Sequence, residues 1–205
     1  MKMISVIIPT MWKPAVFPQL LGSLLENDLI DDIVIVSNAK PSFTVSNDKV
    51  KVVQQKENIG VNPAWNVGVR SAKNEIIVIL NDDFLVDQSF FEEALKIKSK
   101  HGMVAINFDP SQDSIVEVRQ RNHGLGCCFM MEKKDYVEVP PDLRIFYGDD
   151  WLFTNCLLKG KSIALLPNID HNGILSETSK HFNWIVWSER DSYIKHLKRI
   201  TAKDS

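Results

Sequence analysis

No apolar run in this chain of 205 residues approaches the ~20 residues that a helix needs to cross a bilayer. The opening stretch, Met1 to Pro9, carries one lysine and a short apolar run stopped by proline. It reads as a first strand rather than a secretory leader. Cysteine is scarce: Cys127, Cys128 and Cys156 are three in number, and the two neighbours cannot readily bridge each other. Free thiols in a reducing, cytoplasmic compartment are expected. Positive charge is not in excess, since the net charge is −2 and the isoelectric point about 6.2. That excludes a general field for nucleic acid or for an anionic membrane, so any anionic ligand must be held locally. Glycine is missing where a dinucleotide-binding enzyme needs it. After the first strand stands Met11-Trp12-Lys13-Pro14 in place of Gly-x-Gly-x-x-Gly, which excludes that fingerprint.

The composition is that of an ordinary globular protein. Hydrophobic residues make up 44% and charged residues 24%, enough for one α/β core and little for two. Short apolar runs at Ile4 to Ile8, Asp32 to Val36, Val50 to Val53 and Ile76 to Leu80 read as strands. Between them Val16 to Asn27 and Val61 to Ala72 carry apolar residues at helical spacing. A βαβ series of this kind predicts a parallel sheet with right-handed crossovers. Further on, a helix over Ser89 to Lys100 precedes strands at Met103 to Phe108, Ile115 to Val118 and Cys127 to Met131, the last entered through Gly124-Leu125-Gly126. A helix opens at Gly148-Asp149-Asp150-Trp151 and runs to Lys159, Ser162 to Leu166 is a strand, and His181 to Ile200 forms a final helix. Trp184 and Trp187 on that helix are either core residues or faces for stacking on a sugar.

The sharpest feature is Ile76-Ile77-Val78-Ile79-Leu80-Asn81-Asp82-Asp83, which passes from an uninterrupted aliphatic run to two adjacent carboxylates. A wholly apolar strand is buried on both faces, and in open α/β sheets ligands meet the carboxyl ends of the strands. Paired carboxylates repel unless a cation shares them, and hard divalent ions favour such oxygens. A Mg²⁺ or Mn²⁺ site is the functional reading, and a polar turn closing the strand is the plain one. Asp149-Asp150 has the same two readings, a catalytic pair or a helix cap. His171 is either a metal ligand or a surface histidine.

Asn58-Ile59-Gly60, Asn66-Val67-Gly68 and Ile77 to Asp83, followed by Gly148-Asp149-Asp150, together resemble the GT-A fold of nucleotide-sugar glycosyltransferases, in particular the large inverting family 2 with its rhamnosyl- and glucosyltransferases. The resemblance runs from Ser5 to about Asn172. It implies one Rossmann-like domain over residues 1–205, alone or as part of a longer enzyme. Its central sheet is mostly parallel and flanked by helices, with a donor half over residues 1–100 and a smaller mixed acceptor half over 101–205.

It also implies roles. Asp83 with Asp82 and His171 would hold Mn²⁺ or Mg²⁺ against the diphosphate, and Asp150, oriented by Asp149, would act as the base for the acceptor hydroxyl. Pro9, Thr10, Ser37, Asn38, Asn58, Asn66, Asn81 and Asp82 would meet a UDP- or dTDP-linked donor. The family often has an aspartate after the second strand to meet uracil, whereas this chain has Ser37 and Asn38, whose amide can still pair with a pyrimidine edge. Leu80-Asn81-Asp82-Asp83 looks most like the rhamnosyltransferase branch, which implies a deoxyhexose donor. The acceptor would be a glycan or glycoconjugate. Two rival functions stand beside this one. An inactive nucleotide-sugar or glycan-binding module would have no need to keep all these acids, and a sugar nucleotidyltransferase would need a glycine-rich, basic first loop that Met11 to Pro14 does not supply.

Overall fold

A computed structural model of the chain describes residues 3–119, 125–171 and 183–202. Its first half is a parallel series. β1 (Ile4–Thr10), β2 (Ile30–Ser37), β3 (Val50–Gln54) and β4 (Ile76–Leu80) pair in parallel, in the order β3-β2-β1-β4. α1 (Phe17–Glu26) connects β1 to β2 and α2 (Val61–Ser71) connects β3 to β4. The second half extends the same sheet in mixed fashion. β5 (Met103–Ile106), β6 (Val116–Val118), β7 (Cys128–Glu132) and β8 (Ile163–Leu166) continue it as β7-β5-β8-β6. β7 is antiparallel to both β4 and β5, β8 is parallel to β5, and β6 is antiparallel to β8. Among the described residues three more helices flank the sheet: α3 (Ser89–Ile97), α4 (Gly148–Leu158) and α5 (Asn183–Thr201).

Every residue of β1 and β4 is buried, because helices cover the sheet on both faces. The strand pleat divides the aliphatic residues between two cores. Ile4, Val6 and Ile8 pack with Phe17 and Leu20 of α1 and with Phe90 and Phe91 of α3. Ile7 faces the other way, toward Trp65 of α2, Leu152 of α4 and Tyr193 of α5. Each such side chain withdrawn from water contributes roughly 1.5–3 kcal/mol, so the aliphatic strands fix where the carboxyl edge of the sheet lies.

Departures from the periodicity have local causes. β2 starts at Ile30, two residues before Asp32, because the buried Asp32 carboxylate is satisfied inside the sheet: Ser5 Oγ donates to it at 2.5 Å and the Lys73 N–H at 2.9 Å. The helix expected to run to Lys100 ends at Ile97, and its last turn tightens into a 3-10 turn over Lys98–Lys100. α4 takes in Gly148, Asp149 and Asp150 as its own first turn. Trp184 and Trp187 are 77% and 67% exposed, so the core reading fails for both. Gly124, Asn172, Gly173 and the first two residues of the expected final helix, His181 and Phe182, lie outside the described residues. No described helix is long and apolar enough to cross a membrane.

Candidate active site

The parallel strands β1, β2 and β4 bring their carboxyl ends to one edge. Thr10 lies opposite Ser37 in register, and the Asn38 N–H donates to the Thr10 carbonyl at 2.9 Å. Thr10 Oγ1 donates to Asp82 Oδ2 at 2.5 Å and accepts the Trp12 N–H at 2.7 Å. Trp12 adopts a positive φ of 60° and donates from Nε1 to Ser37 Oγ at 2.7 Å. One hydrogen-bonded chain thus runs across the ends of three strands and stops at the acid pair.

The predicted donor-binding residues divide into two groups on this edge. Thr10, Asn81 and Asp82 stand at the rim beside Asp83. Pro9 is a buried strand residue opposite Val36. Ser37 also donates to the Ala39 carbonyl at 2.7 Å, and Asn38 spans the next turn, donating to the Gly60 carbonyl and accepting the Ile59 N–H, both at 3.3 Å. Asn58 Oδ1 accepts the Gly60 N–H at 2.9 Å, and Gly60 takes φ 93° with no room for a side chain, since a Cβ would lie 2.5 Å from the Arg144 carbonyl. Asn66 does not join the rim. Its amide accepts from the Tyr136 hydroxyl at 2.7 Å and the Val139 N–H at 2.9 Å and donates to the Val139 carbonyl at 2.8 Å, which makes it a clamp on the segment before α4.

Asp82 is partly buried, and its carboxyl is pushed up to about 6. Burial is the main cause, the Thr10 hydroxyl works against it, and the neighbouring charge of Asp83 adds to it. A divalent cation would relieve both burial of charge and repulsion, so the donor set fits a hard metal. Among the described residues no three His, Cys, Asp or Glu side chains gather into a metal cage. Asp82, Asp83 and His171 therefore do not form a ready three-ligand site. Two carboxylates with the remaining positions left to water and phosphate oxygens is a pattern that Mg²⁺ uses.

The raised value of Asp82 makes a pH prediction for the metal-free protein. The unfolded chain releases this proton near 3.8 and the folded chain near 6. Between those values the folded state binds more protons, so stability falls as pH rises, by at most about 3 kcal/mol. In chelator, Asp82→Asn should flatten that fall and raise the unfolding midpoint at pH 7.5 relative to wild type. Measurement above pH 4.5 avoids the opposite effect of Glu132, held down to about 2 by Lys134 and Lys98. An identical pH slope in the two proteins would refute the assignment.

The second acid pair is placed by α4. Tyr147 takes a left-handed φ of 62°, and Gly148 follows where a Cβ would lie 2.2 Å from Asn62 Oδ1 and 2.7 Å from the Trp65 ring. Only glycine lets this helix start press on α2. Asp150 is 8% exposed. Asp149 comes near the 3-10 turn Leu125–Cys127: a methyl group on Gly126 would sit 3.5 Å from Asp149 Oδ2. The same turn reaches the residue before the first pair, because the Cys127 carbonyl accepts the Asn81 N–H at 2.9 Å. His171 pairs with Val86 in an isolated antiparallel bridge. Its ring stacks on Phe84 at 5.4 Å and meets Phe108 edge-on at 5.0 Å, so the chain after β8 is drawn alongside the residues that follow Asp83.

Three contributors were not predicted: Asn62, Arg144 and Glu189. Asn62 donates from Nδ2 to the Leu143 and Phe146 carbonyls at 3.1 and 2.9 Å. Glu189 on α5 is 4% exposed and takes the backbone N–H groups of Arg144, Ile145 and Phe146. Its only signal in the sequence is that it falls on the apolar stripe of its helix, four residues before Tyr193.

A sheet with this strand order and paired acids at its carboxyl edge is the GT-A fold. The chain matches the family described as glycosyl transferase family 2 over residues 5–159, and it belongs to that family. No curated protein matches the chain. Among solved structures, S. aureus TarS 1-349 superposes with a TM-score of 0.65 at 16% identity, over 82% of this chain and 58% of that one. The mannosyltransferase PcManGT from Pyrobaculum calidifontis, in complex with GDP-Man and Mn²⁺, gives 0.62 at 17% identity over 80% and 55%. GalNAc-T7 with UDP, GalNAc and Mn²⁺ gives 0.63 at 12% identity over 83% and 43%. The chain thus spans about half the length of these proteins.

Proposed function

We propose that this chain is a metal-dependent, inverting glycosyltransferase that moves a sugar from a UDP- or dTDP-linked donor to a hydroxyl of a glycan or glycoconjugate. The observation that carries this reading is the Leu125–Cys127 turn, which accepts the backbone N–H of Asn81, the residue before the first acid pair, and lies beside Asp149 of the second. A donor between them would present its diphosphate to one pair and its anomeric carbon to the other. Support comes also from the similar structures, of which TarS holds UDP and UDP-GlcNAc and two others hold Mn²⁺. A rhamnose-type deoxyhexose is the finer proposal for the donor, on the strength of Asn81 before the two acids.

In the step itself, the acceptor oxygen bonds to the anomeric carbon as the bond from that carbon to the diphosphate oxygen breaks. Asp150 takes the acceptor proton, and Asp149 orients its neighbour. Asp83 and Asp82 would hold Mn²⁺ or Mg²⁺, which would supply charge neutralisation for the departing diphosphate. Base and leaving group on opposite sides of the carbon give inversion, by analogy with inverting hydrolysis. Thr10 keeps Asp82 aimed at the rim through its hydroxyl.

The test is a thermal-unfolding panel of UDP, dTDP, GDP and their common sugars, each with Mn²⁺, with Mg²⁺ and with chelator. A nucleotide at about 100 times its dissociation constant adds ~2.7 kcal/mol. Stabilisation by a uracil or thymine nucleotide that disappears with chelator is expected. No shift with any nucleotide overturns the proposal.

A further inference from the structure

We infer that Glu189 and Tyr193 of α5 are positioning residues that hold the Asp149–Asp150 turn in its working geometry, a role that rests on the transferase reading of that turn. The backbone from Leu143 to Phe146 is gripped from two sides. Asn62 of α2 takes its carbonyls: the backbone N–H donates to Arg144 at 3.1 Å and the side chain to Leu143 and Phe146. Glu189 takes its N–H groups. Oε1 accepts from Arg144 at 3.0 Å and Ile145 at 3.2 Å, and Oε2 from Ile145 at 3.1 Å and Phe146 at 2.6 Å. Donation from three consecutive amides to one buried carboxylate is charge-assisted and stronger than the same bonds to a neutral acceptor.

What this grip controls lies immediately after it. Tyr147 sits in the left-handed region, a conformation that a non-glycine residue keeps only where its surroundings impose it. Its ring stacks on Tyr193 at 5.2 Å and 18°. The Tyr193 hydroxyl reaches the Asp150 carbonyl at 3.4 Å and pairs with Thr154 Oγ1 at 2.9 Å. Two residues one helical turn apart on α5 therefore touch the approach, the bend and the first turn of α4. The match to the family ends at residue 159, so α5 lies beyond it. A carboxylate base misplaced by about 1 Å loses on the order of a hundredfold in rate, which gives such a strap a catalytic consequence without contact with substrate.

The experiment compares the wild-type chain with E189Q and Y193F. Glutamine keeps the size of Glu189 but loses its charge and turns an NH₂ toward amide donors. Phenylalanine keeps the stack on Tyr147 and loses only the hydroxyl contacts. Three readouts are taken: initial rates with UDP- and dTDP-sugars, affinity for UDP and dTDP with Mn²⁺, and amide hydrogen exchange by peptide mass spectrometry. For E189Q, kcat is expected to fall about tenfold to a hundredfold with nucleotide affinity within about twofold. Exchange should quicken in residues 144–151 while β1 and β4 stay protected. Y193F should move kcat and exchange in the same direction by a smaller factor. Unchanged kcat and exchange in E189Q overturns the inference, as does faster exchange throughout the chain with affinity and rate lost together. If the wild type binds no nucleotide and transfers no sugar, the transferase reading fails by itself. The exchange comparison then still decides the strap, with unchanged protection at residues 144–151 overturning it.

Discussion

Asp150→Asn is expected to lower kcat by about 10²–10⁴ while leaving metal-dependent nucleotide affinity and thermal stability close to wild type. The separation follows from what asparagine can and cannot do at this position. It has the same shape, so the packing of the first turn of α4, in which Asp150 is the third residue, is kept. It cannot accept a proton from a hydroxyl. Asp150 is almost withdrawn from water at 8% exposure, and a carboxylate in such a place is held there by the fold rather than by solvation. If the residue served only the start of the helix, the substitution would leave turnover untouched. Initial rates at saturating donor, together with nucleotide titration of the same preparation, decide the matter. Equal loss of rate and of nucleotide affinity would instead make Asp150 part of the donor cradle. Asp149→Asn should have the smaller effect, because its proposed work is to orient its neighbour.

The parts of this architecture that can be read in advance are those where one physical requirement dominates a stretch. β4 is wholly apolar and β1 mostly so because helices cover both faces of the sheet, and Asp82-Asp83 stands out because the aliphatic run stops so abruptly. β7 was recognised as a strand, yet nothing local foretold that it would insert antiparallel between β4 and β5, since strand order is decided by contacts far apart in sequence. The amide side chains were the hardest to assign. Asn66, Ser37 and Asn38 offer the same donors and acceptors to a nucleotide as to backbone, and here the backbone takes them. Glu189 escaped for the opposite reason. An acid among arginine, aspartate and serine on a charged helix looks solvated, and only its alignment with Tyr193 hints that it faces inward. Trp184 and Trp187 admit a core reading beside the sugar-stacking one because large aromatics are buried on average, whereas the inward stripe of α5 is carried by Glu189 and Tyr193.

Asp83→Ala is expected to abolish the stabilisation that nucleotide and Mn²⁺ give together, which for wild type at about 100 times the dissociation constant amounts to ~2.7 kcal/mol. The reasoning is electrostatic. Asp82 by itself is partly buried and already bonded to Thr10, so a cation beside it would be left with one carboxylate that is in part engaged elsewhere. Among the described residues no third acid or histidine completes a cage, and loss of one carboxylate halves the charge that the protein brings to the cation. The same substitution has a separate consequence in chelator. Asp83 is one of the influences that raise Asp82, though burial is the larger. Its removal should therefore move the Asp82 carboxyl down from about 6 without returning it to 3.8, and the fall in metal-free stability across that range should become shallower. A variant that keeps the metal-dependent nucleotide shift places the cation elsewhere. One that loses the shift but keeps the wild-type pH slope would show that Asp83 binds metal without acting on Asp82, so the two readouts test the metal site and the carboxylate coupling independently.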